Sequence, residues 1–113
     1  MTLTQVRRFA LSLPEATEEP HFDRTSFRVR GKIFATAKPS ETHLHVFVGE
    51  AQREPTLAMH PDHVAKLWWG ARVVGLRVEL PNAPASLVKE LLTAAWEAKA
   101  PKALRDRPAT PPR

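Results

Sequence analysis

Three stretches of the chain alternate apolar and polar residues with a period of two, and this limits the fold more than any other feature. In Thr25 to Arg30, Phe27 and Val29 point one way, while Ser26, Arg28 and Arg30 point the other. In His43 to Val48, Leu44, Val46 and Val48 alternate with His43, His45 and Phe47. In Arg72 to Leu80, Val74, Leu76, Val78 and Leu80 share a face from which Arg77 and Glu79 point away. A period of two is that of a strand with one buried face. Short strands of this kind in succession favour an antiparallel sheet covered on one side by helices.

The helices read from a different period. Val6, Phe9, Ala10 and Leu13 fall at i, i+3, i+4 and i+7, which predicts a helix over Thr4 to Leu13, capped by Thr2 or Thr4 and stopped by Pro14. A second apolar face, formed by Leu87, Val88, Leu91, Leu92, Ala95 and Ala98, predicts a last helix from Pro84 to about Lys99. Between Leu13 and the first strand, Glu15 to Asp23 reads as an acidic loop. Ile33 to Ala37 continues as the partner of the first strand across a Gly31-Lys32 turn. A short helix is expected near Pro55 to Met59, with the option of running past Pro61 to Leu67. Trp68 to Ala71 is a turn or the start of a strand, and one of the two adjacent tryptophans is expected in the core. Trp96 is expected to pack in the core or at its rim. The fold class expected is α+β: an antiparallel sheet flanked by N- and C-terminal helices in one domain, residues 1–104, followed by a mobile basic Pro-rich tail, 105–113.

At 113 residues the chain suits one domain, and 42% hydrophobic content suffices for a core without staples. Absence of cysteine excludes disulfides, thiolate zinc sites and thiol nucleophiles. No apolar segment follows the first residues as a secretory leader requires, and no apolar run approaches the ~20 residues that span a bilayer. A cytoplasmic protein with no membrane partner is the expectation.

Formal net charge is +5, but its distribution matters more than its sum. Residues 99–113 hold five basic side chains against Asp106, or +4, leaving twelve basic and eleven acidic groups, or +1, in residues 1–98. The folded part is nearly neutral. A basic tail attracts any polyanion.

Catalytic signatures are missing. No serine sits in a nucleophile elbow, and four glycines, at 31, 49, 70 and 75, write neither a P-loop nor a dinucleotide fingerprint. His43 and His45 share a strand face, and His60 and His63 flank Pro61-Asp62, but neither pair has a third ligand at a diagnostic spacing. His21, Asp23 and His63 are the residues an acid-base site would use, and none has an evident partner. No catalytic residue, metal or cofactor is expected.

Several motifs resemble those of the MmcQ/YjbR family. Ser26-Phe27-Arg28-Val29-Arg30-Gly31-Lys32-Ile33-Phe34-Ala35 looks like that family's first hairpin, with Leu13-Pro14-Glu15-Ala16 ahead of it. Gly70 to Val78 resembles the strand in which family members carry a Gly-Trp pair; Val73-Val74 stands there in this chain. Ala95 to Leu104 is similar to the last helix and its Ala-Pro-Lys exit. The resemblance runs from about Val6 to Leu104. It implies a compact α+β fold of the secretion-chaperone-like kind and a DNA-binding label, with no catalytic or base-reading residues to carry over.

Two functions follow as expectations. One is sequence-nonspecific DNA binding without catalysis, with Arg28, Arg30, Lys32, Arg72 and Arg77 on phosphates and Lys102, Arg105 and Arg107 adding a tail contribution. The other is a protein-interaction or adaptor module, with a protein partner or a second copy as ligand, suggested by the near-neutral body and the adjacent tryptophans.

Overall fold

The computed structural model describes residues 1–40 and 42–106. The chain runs as α1 (Leu3–Ser12), β1 (Ala16–His21), β2 (Arg24–Val29), β3 (Lys32–Ala37), β4 (His43–Val46), α2 (Glu50–Met59), β5 (Val64–Trp69), β6 (Arg72–Glu79), α3 (Ala85–Lys99) and α4 (Lys102–Arg105). The six strands form one antiparallel sheet in the order β1-β2-β3-β4-β6-β5. The α+β class read from the sequence is therefore the one observed.

The alternating strands bury the faces expected of them. Phe27, Val29, Leu44, Val46, Leu76 and Val78 are fully buried, and Val6, Ala10, Val88, Leu91 and Leu92 meet them from the helices. Each such Val, Leu or Phe side chain contributes about 1.5–3 kcal/mol when removed from water. Thr2 and Gln5 close a reciprocal capping box at the start of α1. Trp96 is core-facing on α3, and its indole N–H donates to Pro14 O at 3.0 Å, tying the last helix to the exit of the first.

Four local expectations are corrected. Most of the acidic loop is a strand, β1, paired with β2 from Ala16↔Val29 to His21↔Arg24. Its turn, Phe22-Asp23, lacks the usual Gly or Asn, and Phe22 itself takes φ 58°. The β2–β3 turn is Arg30-Gly31, not Gly31-Lys32; both central residues have positive φ, 51° and 80°, as a right-twisted two-residue hairpin requires. Helix α2 begins at Glu50 with Gly49 as its cap, so Pro55 lies in its second turn and forgoes one hydrogen bond on an exposed face. Past Pro61 the chain forms β5, not more helix.

The β2–β3 and β5–β6 hairpins share one plan. Each has a two-residue turn, Arg30-Gly31 or Gly70-Ala71, and each places an unpaired residue third after the turn, Phe34 or Val74. Such a bulge sharpens the local twist. The antiparallel order brings both tips to the same end of the sheet.

Candidate nucleic-acid interface

Helices α1 and α3 pack on the face that carries Phe27, Val46 and Leu76, and the core lies between them. The opposite face is polar across its middle, with apolar Phe47, Leu67 and Trp69 toward the end where the two hairpin tips lie. Cross-strand register sets one row over it: Glu19, Ser26, Thr36, His45, Arg77 and Ala65, from edge to edge. Arg28 lies one pleat from Ser26 on β2, and Arg24 one pleat the other way. Arg72, opposite Trp69, starts β6 on the same side. Strands lie about 4.8 Å apart, so Ser26 and Arg77, three strands apart, are separated by roughly 14 Å.

Two arginines roof part of this face. Arg28 Nε donates to Ser26 Oγ at 2.9 Å, and Ser26 Oγ donates to Glu19 O at 2.8 Å. Arg24 Nε donates to Thr36 Oγ1 at 3.0 Å. Ser26 and Thr36 are thereby 0% and 3% exposed although no helix covers them. Both half-buried guanidinium groups also donate to backbone oxygens, Arg24 Nη2 to Thr36 O and Arg28 Nη2 to Pro20 O, each at 3.5 Å. Arg77 and Arg72 are exposed, and their side chains make no hydrogen bond or ion pair among the described residues. The strands place Arg24, Arg28, Arg72 and Arg77 on this face against Glu19 and Glu79, an excess of two positive charges.

The structure places the other basic residues differently. Arg30 sits in the turn, not on the strand face with Arg28, and is committed to Glu15: its Nη2 donates to Oε2 at 3.0 Å, and its Nε also donates to that carboxylate. The carboxylate holds the guanidinium in its charged form, raising its pKa. Lys32 is exposed at the root of the same turn. Lys38 pairs with Asp23 at 2.9 Å, and this contact holds the Asp23 carboxyl below its usual range. Lys102 and Arg105 are exposed on α4, and Arg107 lies outside the described residues.

Tight ion pairing elsewhere is structural. Arg7 of α1 donates to Glu18 of β1 at 2.7 Å, and Thr25 Oγ1 donates to the same carboxylate at 2.7 Å. The Arg7 contact, ahead of the Thr25 hydrogen bond, lowers the Glu18 pKa against a smaller opposing effect of burial.

The histidines do not converge. His43 and His45 face Glu79 and Arg77 across β6. His60 caps α2, while His63 Nδ1 is buried without a hydrogen bond among the described residues. His21 packs edge-on against Phe22, with ring centroids 4.9 Å apart. Among the described residues no group of three or more His, Asp or Glu side chains is placed to hold a metal ion. Among them, too, no helix is long and apolar enough to cross a membrane.

Sequence reasoning underrated the tryptophans. Both stay outside the core, Trp68 at 57% and Trp69 at 76% exposure, on the outermost strand. A strand with only one neighbour has nothing to pack its side chains against on its outer flank.

A six-stranded antiparallel sheet with a helical layer on one face and an open opposite face defines an α+β domain. The chain belongs to the YjbR family, whose model matches residues 11–98. A crystal structure of the Deinococcus radiodurans protein DR2400, with domain DUF419, is similar in fold: TM-score 0.73 and 22% identity, covering 83% of this chain and 75% of that one. No curated protein matches the chain.

Proposed function

We propose that the protein is a non-enzymatic, sequence-nonspecific DNA-binding protein whose contact surface is the open sheet face. The observation that carries this reading is the lay of Arg28 and Arg77 on one uncovered face, with Arg24 and Arg72 beside them. Side chains held flat on a rigid sheet lose little entropy when they meet phosphates, and arginine forks match phosphate oxygens. Half-buried Phe47 and exposed Trp69 on the same side add rings on which an unpaired base can stack. Nothing on this face is shaped for a groove, which favours backbone contact over base readout.

Lys32, Lys102, Arg105 and Arg107 extend the positive field, while Arg30 contributes little because Glu15 neutralises it. A second reading, a protein-interaction module, is favoured by the exposed Trp68 and Trp69.

Fluorescence anisotropy with labelled single-stranded and duplex DNA tests the first reading. Four arginine–phosphate contacts on a single strand predict a log–log salt slope near −3. Replacing Arg28 and Arg77 by alanine should flatten that slope by about 1.4. No binding at low salt refutes the proposal, and a slope unchanged in the double variant moves the contact elsewhere.

A further inference from the structure

The two edges of the sheet are built differently. Strand β1 carries Pro20, Glu18 and Glu19, and proline and charge are the usual means of keeping an edge from pairing. Strand β5 has no proline and no acid, and it carries Trp68 and Trp69. Glu79 N–H donates to His63 O at 2.9 Å, which sets the alternation of the β5–β6 ladder. His63, Ala65 and Leu67 therefore address β6, and the backbone groups of Lys66 and Trp68 point outward. Trp68 lies on the same side of the strand as Lys66, whose Nζ is 6.0 Å from the indole centroid; Leu67 and Trp69 take the opposite side.

We propose that β5 is the interface of a homodimer, with two copies paired antiparallel so that Lys66 lies opposite the partner's Trp68. In this register the strand complements itself. Each lysine meets an indole face, twice over by the two-fold axis. On the other side Leu67 meets the partner's Leu67, and Ala65 leaves room for the partner's Trp69. Shifting the axis by one residue along the strand would set Lys66 against the partner's Lys66. The outward N–H and C=O groups of Lys66 and Trp68 then find partners.

The exposed parts of the two tryptophans amount to about 330 Å² per copy, taking ~250 Å² for a whole side chain. A standard interface takes about 800 Å² from each partner, so strand pairing here makes a weak, concentration-dependent dimer. Its two-fold axis is perpendicular to the sheet, which sets both open faces on one side. The dimer rests on the edge, not on that face, and it is measured without DNA.

Sedimentation equilibrium on the full chain from about 1 µM to about 1 mM should show the mass rising from one copy toward two. Trp68→Lys, at an exposed position, should weaken association at least about tenfold by setting lysine against lysine. The swap Lys66→Trp with Trp68→Lys should restore it, because the opposed pair is rebuilt. The chain has no cysteine, so Leu67→Cys supplies a single thiol. In the proposed register the two thiols face each other across a pair with Cα atoms about 4.5 Å apart, within disulfide range. Leu67→Cys should cross-link on oxidation, whereas Ala65→Cys should not. A chain that stays monomeric throughout, or a dimer indifferent to Trp68→Lys and not linked through Leu67→Cys, overturns the proposal. Circular dichroism of each variant distinguishes lost pairing from lost fold.

Discussion

Gly75 has the least room of the four glycines, and replacing it with alanine should be strongly destabilising. A Cβ built there would lie 2.0 Å from Val46 O, 3.0 Å from Val46 C and 3.1 Å from Phe47 Cα. All three atoms are backbone, so no side chain can swing aside. The φ angle at Gly75 is not in the left-handed region, and the cost is steric alone. Relief requires β4 and β6 to move apart by more than an ångström, next to the paired Val46 and Leu76. Overpacking that a side chain can absorb costs about 1–3 kcal/mol, and a rigid backbone clash belongs at or above the top of that range. Alanine recovers about 0.4–1 kcal/mol by restricting the unfolded chain. The net expectation is a loss of at least about 2–3 kcal/mol, a large part of the 5–15 kcal/mol typical of a domain. Urea unfolding followed by tryptophan fluorescence reads it as a fall in midpoint with little change in slope. Gly49→Ala, where a Cβ meets nothing within 4 Å, is the control; the poorer helix cap and the restricted unfolded chain oppose each other, and the net change should stay within about 0.5 kcal/mol. A Gly75→Ala midpoint equal to that of the control would refute the close approach and the β4–β6 register with it.

Other changes test the remaining supports of the fold. Gly49 caps α2 without a side-chain hydrogen bond, so Gly49→Ser should stabilise by a few tenths of a kcal/mol, readable in the same urea titration. Glu18 has a lowered pKa, so its pairing with Arg7 contributes stability above the ordinary glutamate range and loses it as pH falls through the depressed value. Melting temperature against pH should therefore drop in that acidic window for the native chain and drop less for Glu18→Gln. Trp96→Phe removes the donor to Pro14 O and should cost about 1 kcal/mol or more, measured by chemical unfolding.

The strands readable in the sequence are those with neighbours on both sides. Strands β2, β4 and β6 are interior, each buries one face, and each shows the alternation that burial imposes. Strands β1 and β5 are the edges, and they escaped the pattern because one outer flank of each meets water. In β1 the burial is intermediate at best, and in β5 only Val64 is buried. Helix α2 was misplaced for a related reason: only Thr56 is buried on it, so no apolar stripe marks its start.

The candidate face was partly legible. Parity along a strand puts Arg28 opposite Phe27 and Arg77 opposite Leu76, which is a local rule and needs no tertiary information. That these two arginines share an uncovered face about 14 Å across depends on β6 pairing with β4 while β5 moves to the edge. Which cations remain available is likewise non-local. Arg30 is neutralised by Glu15, fifteen residues away, and Lys38 by Asp23 on the neighbouring hairpin.

By itself, the sequence determined the class of fold, the inward faces of β2, β4 and β6 and the two main helices, because periodicity and capping act within a few residues. Tertiary structure decided the strand order, the two edges, the exposure of Trp68 and Trp69 and the surviving charges of the open face. Those depend on contacts between distant segments, whose free energy no local pattern records.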